Sequence, residues 1–120
     1  MKAMVYDGFS LAVKEVTGDS YDFLRNTVDG YIEHIPVDSL GSIDMWGNEE
    51  AKLIGLSPTI ALSYKGKIYD IVCGTVVFMR HDGKGNTIGL NDKDIKFLKK
   101  KFGDEGIAFT NYGVLQVMNF

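Results

Sequence analysis

The sequence predicts an α+β fold: a single domain over residues 1–120, in which a twisted antiparallel sheet of about five to seven strands is covered by two short helices. Three observations predict it. Short runs rich in β-branched and aromatic residues recur along the chain, two stretches carry apolar residues at helical spacing, and the chain has 14 Gly with only 2 Pro. Glycines interspersed with such runs indicate tight turns rather than disorder.

Residues 67–79 contain the longest of these runs, and we expect them to form a central strand that is buried on both faces. Most of their side chains suit a pleated, packed surface, namely Ile68, Ile71, Val72, Cys73, Val76, Val77 and Phe78. Gly74 interrupts the run. A glycine inside a strand predicts a bulge or a place where another backbone or a ligand approaches closely.

Shorter strands are predicted on the N-terminal side of this run. Residues 2–6 form the first, and Asp7-Gly8 predicts a hairpin that returns the chain along it from Leu11. Residues 31–36 form the next strand, which Pro36 ends or places at an edge of the sheet. Residues 42–46 alternate apolar and polar side chains and predict a further strand.

Two helices are predicted from apolar residues spaced three and four positions apart. The first begins at Asp19 or Ser20, whose side chains can cap free amides, and ends at Gly30 in the left-handed conformation. The second is capped by Asn91 and ends at Gly103. The predicted buried stripes are Tyr21, Leu24 and Val28 in the first helix and Ile95, Leu98 and Phe102 in the second.

The tail, residues 103–120, is very apolar for a terminus. Either residues 114–120 pair into the sheet, or they pack against another subunit. We therefore expect a homo-oligomer.

The charge pattern bears on partners. The net charge is −3, which argues against binding to duplex nucleic acid. Residues 1–59 carry four basic and ten acidic side chains, whereas residues 60–120 carry nine basic and six acidic ones. An acidic face and a basic face could dock a charged partner or a second copy, unless the two halves interleave in space. No run is long enough for a signal peptide or a membrane span, which predicts a cytoplasmic protein.

No catalytic motif stands in the sequence, and we expect no catalytic residue, no metal and no cofactor. The single cysteine, Cys73, excludes an internal disulfide and is predicted to be an inert core thiol. No spacing links His34, His81 and Cys73 as metal ligands. Trp46 is either a core anchor with its N–H satisfied or a stacking platform or interface residue.

The second helix carries the most suggestive surface feature. Lys93, Lys96 and Lys100 lie opposite its apolar stripe, joined by Lys99 and Lys101. Such a face is either merely solvated or a site for phosphate or an acidic partner. If the ligand is a nucleotide, the predicted binding residues are Lys93, Lys96, Lys100 and Arg80, with Trp46 or Tyr69 for stacking.

Three segments resemble the DUF3846 family: residues 29–36, residues 48–56 and residues 69–76. The short helix before them and the capped helix after them also fit, so the resemblance covers about residues 1–102. The chain departs from the family pattern at Ala51 and at residues 57–60, where relatives tend to have a glycine and a Pro-Asn-Arg-like segment. The family consists of uncharacterised small proteins frequent in phages and mobile elements, so the resemblance implies a setting and carries over no catalytic residue.

That setting implies a non-enzymatic accessory protein, and in particular a counter-defence factor that sequesters a signalling nucleotide or blocks a host effector protein. One alternative is a small enzyme acting on a phosphorylated or nucleotide substrate, with Asp70 or Asp82 as a base near His81. Another is a structural or DNA-contacting accessory protein.

Overall fold

The computed structural model describes residues 1–104, 107–110 and 113–120, and its side chains over residues 1–102 and 115–120. Its helices are α1 (Ser20–Val28) and α2 (Asp92–Asp104), with a short 3₁₀ turn over Asp38–Leu40. Its strands are β1 (Lys2–Tyr6), β2 (Leu11–Glu15), β3 (Ile32–Ile35), β4 (Ile43–Asn48), β5 (Pro58–Tyr64), β6 (Lys67–Cys73), β7 (Val76–His81), β8 (Thr87–Ile88), β9 (Ile107–Thr110) and β10 (Gly113–Asn119).

The strands of the described residues form two sheets. The first sheet runs β2-β1-β7-β4-β3, with β8 beside the end of β7, and all of its pairings are antiparallel. The second sheet runs β6-β5-β10-β9. The predicted α+β class and the predicted antiparallel sheet are therefore confirmed. The sequence predicted one sheet, whereas the structure divides the strands between two sheets.

Gly74 marks the point at which the chain passes from the second sheet to the first. It lies between β6 and β7 with a φ of +79°, a left-handed conformation that a glycine adopts without strain. A Cβ at this position would lie 2.8 Å from Leu56 Cδ1, so the close neighbour of Gly74 is a side chain and not a backbone. The prediction of one continuous strand over residues 67–79 is wrong, because the turn at Gly74 sends β6 and β7 into different sheets.

The two faces of the first sheet pack against different layers, because side chains alternate along each strand. Met4 and Phe78 face the second sheet and α2, in a core that also contains Leu62 and Leu98. The other face, including Val77, packs against α1 through Leu24 and Val28. The order of layers is thus α1, the first sheet, and then the second sheet together with α2.

Helix α1 begins as predicted and ends one residue earlier than expected. Asp19 caps it by accepting a hydrogen bond from the Asp22 amide at 3.1 Å. The left-handed residue at its end is Asp29 (φ 59°), not Gly30. Tyr21 is exposed and does not belong to the buried stripe, because the stripe that meets the sheet is formed by Leu24 and Val28, with Phe23 partly buried beside them.

Helix α2 has the predicted cap and the predicted buried stripe. The Asn91 side chain accepts a hydrogen bond from the Asp94 amide at 2.8 Å, and the Asp94 carboxylate accepts one from the Asn91 amide at 3.0 Å. This reciprocal pair is a capping box. Ile95, Leu98 and Phe102 are buried in the core.

The tail pairs within the chain. Strand β10 runs parallel to β5, with Gln116 opposite Ile60 and Met118 opposite Leu62. Met118 has no exposed surface. Of the two predicted alternatives for this segment, pairing into a sheet is the one observed.

Candidate functional site

One face of α2 is cationic and exposed. Lys93, Lys96, Lys99 and Lys100 all lie at the surface, and Phe97 among them is 37% exposed. Lys93, Lys96, Phe97 and Lys100 recur at intervals of three and four residues, which places them on one side of the helix. We call these four residues the lysine face.

Lys101 is not part of the lysine face. Its Nζ donates a hydrogen bond to the Asn119 carbonyl oxygen at 2.6 Å and lies 5.0 Å from the centre of the Phe120 ring. This side chain therefore holds the end of the chain against α2.

Arg80 supports the start of α2 from the neighbouring strand. Its Nε and Nη2 donate to the two carboxylate oxygens of Asp94 at 2.8 and 2.9 Å, and Asp94 is only 4% exposed. The hydrogen bond from Arg80 holds the pKa of the Asp94 carboxyl below its ordinary value, assisted by the Asn91 amide. The guanidinium that the sequence offered as a ligand-binding group is thus engaged within the protein.

Trp46 and Tyr69, the two predicted stacking residues, lie on different sheets. Trp46, in β4, packs partly buried against the α1 side of the first sheet, and its buried Nε1 has no hydrogen-bond partner among the described residues. Tyr69, in β6, is 54% exposed. The two rings therefore lie in different parts of the fold, Trp46 on the α1 side of the first sheet and Tyr69 on the second sheet.

An open groove of about 560 Å³ runs along β6, and Lys52, Leu56, Tyr69, Asp70 and Cys73 are among its lining residues. Lys52 Nζ lies 3.2 Å from Asp70 Oδ1 in an exposed ion pair. Partial burial raises the pKa of the Cys73 thiol, which lowers the fraction present as the reactive thiolate.

A cluster of three titratable side chains lies on the α1 side of the first sheet. The carboxylate of Asp44, in β4, lies 3.1 Å from Nε2 of His34, in β3. Both carboxylate oxygens of Asp44 also lie 3.1 Å from Nδ1 of His81, in β7. The Asp44 side chain is 11% exposed, whereas those of His34 and His81 are 47% and 38% exposed. We call these three residues the histidine cluster.

The comparisons with known proteins give one family. The family model described as "Domain of unknown function (DUF3846)" matches residues 1–103. The chain belongs to the DUF3846 family. No curated protein and no solved structure matches it.

The histidine cluster of this DUF3846 protein was missed by sequence reasoning. His34 lies 10 residues before Asp44 and His81 lies 37 residues after it, and the three come together because β4 lies between β3 and β7. The available signal was Asp44 itself, a charged residue between Ile43 and Met45 in a predicted strand. The alternative hypothesis of a small enzyme placed Asp70 or Asp82 as a base near His81. In the structure, the carboxylate that contacts His81 is that of Asp44.

The two carboxylates of that alternative have other partners. Asp70 pairs with Lys52, and Asp82 accepts hydrogen bonds from the amides of Lys84 and Asn86 in its own loop at 2.8 and 2.9 Å. Over the described part of the chain, no group of three or more His, Cys, Asp or Glu residues is arranged to hold a metal ion. No helix in that part is long and apolar enough to cross a membrane.

Proposed function

We propose that this DUF3846 protein is a phage or mobile-element accessory protein that acts by binding, and that it counters a host defence by occupying an acidic surface of a host effector protein with the lysine face. The family resemblance supports the setting. The observation that carries the binding surface is the exposed stripe of three lysines around Phe97 on α2.

The lysine face suits a protein partner because it combines charge with an apolar centre. Charged rims steer association and set the register of a complex, while a partly exposed aromatic ring can become the buried anchor. The helix beneath is firmly held, since Ile95 and Leu98 lie in the core and Asp94 is bonded to Arg80. A rigid presenting element reduces the ordering cost of binding.

Sequestration of a signalling nucleotide is the other form of this proposal. A nucleotide site needs cations and a stacking ring around one concavity. The lysine face is on the outside of a helix, while Trp46 and Tyr69 lie on other elements. The geometry therefore favours the protein partner.

The test is capture of a partner from lysate of the host bacterium with tagged wild-type protein and with the K93E/K96E variant. We expect the wild type to retain one host protein and the variant to retain at least tenfold less of it. Charge reversal replaces attraction to an acidic surface by like-charge repulsion. Native mass spectrometry of the eluate distinguishes a protein partner from a ligand of a few hundred daltons.

The matched control is K65E/K67E, which makes the same change of charge at two exposed positions, one in the turn between β5 and β6 and one at the first residue of β6. This control should retain the partner. Equal retention by K93E/K96E and wild type would contradict the proposal, as would equal loss in both variants, which would indicate a non-specific effect of net charge.

A further inference from the structure

The histidine cluster belongs to a larger polar patch on the first sheet. Thr87 is the cross-strand partner of His81, and on the other side the His81 amide donates to the Ser42 carbonyl oxygen at 3.0 Å. Residues directly opposite each other in an antiparallel ladder place their side chains on the same face. Residues of β3, β4, β7 and β8, together with the segment that leads into β4, thus lie side by side around the histidine cluster.

Asp44 fixes the orientation of both imidazoles. An ionised carboxylate can only accept hydrogen bonds, so Nε2 of His34 and Nδ1 of His81 must carry the hydrogens that face it. The other nitrogen of each ring, Nδ1 of His34 and Nε2 of His81, is then left for a substrate. Both side chains are more than one third exposed, while the carboxylate that holds them is buried.

Two half-exposed imidazoles fixed by one carboxylate provide a base and an acid side by side. A neutral ring accepts a proton at its outward nitrogen, and a protonated ring donates one. Ser42 and Thr87 adjoin His81 along the backbone, and hydroxyl groups are hydrogen-bond donors of the kind that binds phosphate oxygens. The patch therefore combines groups for proton transfer with groups for holding a phosphate.

We propose that this patch cleaves single-stranded RNA by transesterification of a phosphodiester, with His34 and His81 as the two proton-transfer residues and Asp44 as the residue that positions them. RNA brings its own nucleophile, the ribose 2′-hydroxyl. One neutral imidazole takes the 2′-hydroxyl proton as the 2′-oxygen bonds to phosphorus. The bond from phosphorus to the 5′-oxygen breaks, and the other, protonated imidazole gives its proton to that oxygen. The products are a 2′,3′-cyclic phosphate and a 5′-hydroxyl end.

This activity goes beyond the proposed binding function and is separable from it. The lysine face belongs to α2, which packs on one face of the first sheet, whereas the histidine cluster lies on the opposite face. Loss of partner binding and loss of RNA cleavage can therefore be produced by different variants.

The experiment uses full-length protein and a fluorescent DNA oligonucleotide that contains a single ribonucleotide, followed from pH 5 to pH 8. We expect cleavage at the ribonucleotide to give the cyclic phosphate, with a bell-shaped rate profile, since one imidazole must be neutral and the other protonated. H34Q and H81Q should each lower the rate about 100-fold, the scale of a lost general acid or base. K65E/K67E, which lies outside both the lysine face and the histidine cluster, should leave the rate unchanged.

D44N separates positioning from folding. It keeps the shape of the side chain, so we expect a wild-type circular dichroism spectrum together with a fall in rate and a shifted pH profile. H34Q/H81Q, purified identically, measures contaminating nuclease. A wild-type rate no higher than that of this double variant across the pH range would overturn the proposal. Equally fast cleavage of a second oligonucleotide, identical in sequence but without the ribonucleotide, would also overturn it.

Discussion

At the scale of single residues, the buried polar side chains join elements that are distant in sequence. Asn48 is 6% exposed, and its Nδ2 donates to the carbonyl oxygens of Val28 and Asp29 at 3.1 and 3.2 Å. Its Oδ1 accepts a hydrogen bond from the Glu50 amide at 2.8 Å. One side chain thus fastens the end of α1 to the end of β4 and begins the turn that follows.

We expect N48A to lower the free energy of unfolding by about 2 kcal/mol, because it leaves two carbonyl oxygens and one amide without this partner. The matched control is N26A, at an exposed position in α1, where alanine is a better helix former and the stability should stay within about 0.5 kcal/mol. Urea unfolding measures both. Equal stabilities of the two variants would show that Asn48 does not fasten α1.

At the scale of elements, α2 depends on Asp94, which both caps the helix and binds Arg80. We expect D94N to lower the free energy of unfolding by about 2 to 3 kcal/mol at pH 7, because the guanidinium loses its charged partner. The R80K variant is a second measure of the pair. It keeps the charge but loses the two parallel hydrogen bonds, so its effect should be smaller.

The pH dependence of the Asp94 contribution has a definite sign. The pKa of Asp94 is lowered in the folded state by the Arg80 hydrogen bond. A lowered pKa stabilises the folded protein fully above the unfolded value, about 3.9, and this contribution is lost as the pH falls through the folded pKa. The difference in stability between wild type and D94N should therefore be constant from pH 7 to about pH 5 and shrink in stronger acid. A difference that grew on acidification would contradict the assignment.

The elements also show what sequence can predict. The stripes of α2 and most of α1 were found because a helix repeats every 3.6 residues and its pattern is local. The separation of β6 from β7 was not found, because a glycine inside an apolar run is compatible with a bulge or a close approach within one strand, and its left-handed conformation, which turns the chain here, is not visible in the sequence. The histidine cluster depends on which strands are neighbours, and strand order is not encoded in any local pattern.

At the scale of the whole molecule, the C-terminal strand β10 pairs in parallel with β5, and these two strands form the centre of the second sheet. The sequence left open whether this segment pairs within the chain, since its apolar character suits a sheet or a subunit contact equally. Met118, in β10, is buried in the core. Formation of a homo-oligomer stays a prediction.

We expect M118A to lower the free energy of unfolding by about 2 to 4 kcal/mol through a cavity in the core, and V117A, at a partly exposed position, to have a smaller effect. Because the pairing is intramolecular, the loss caused by M118A should not change when the protein concentration is varied a hundredfold. A loss that appears only at high concentration would mean that Met118 acts at a contact between subunits.

The measurement that most directly tests the central claim, that the lysine face binds a host protein, is site-specific photocrosslinking in host cells. A photoreactive phenylalanine analogue replaces Phe97 in the lysine face, or Phe9 at the exposed tip of the β1–β2 hairpin as the control. We predict a discrete adduct with one host protein from position 97, lost in the K93E/K96E background and not formed from position 9. An adduct from position 97 that survives charge reversal, or a partner captured only from position 9, would contradict the claim.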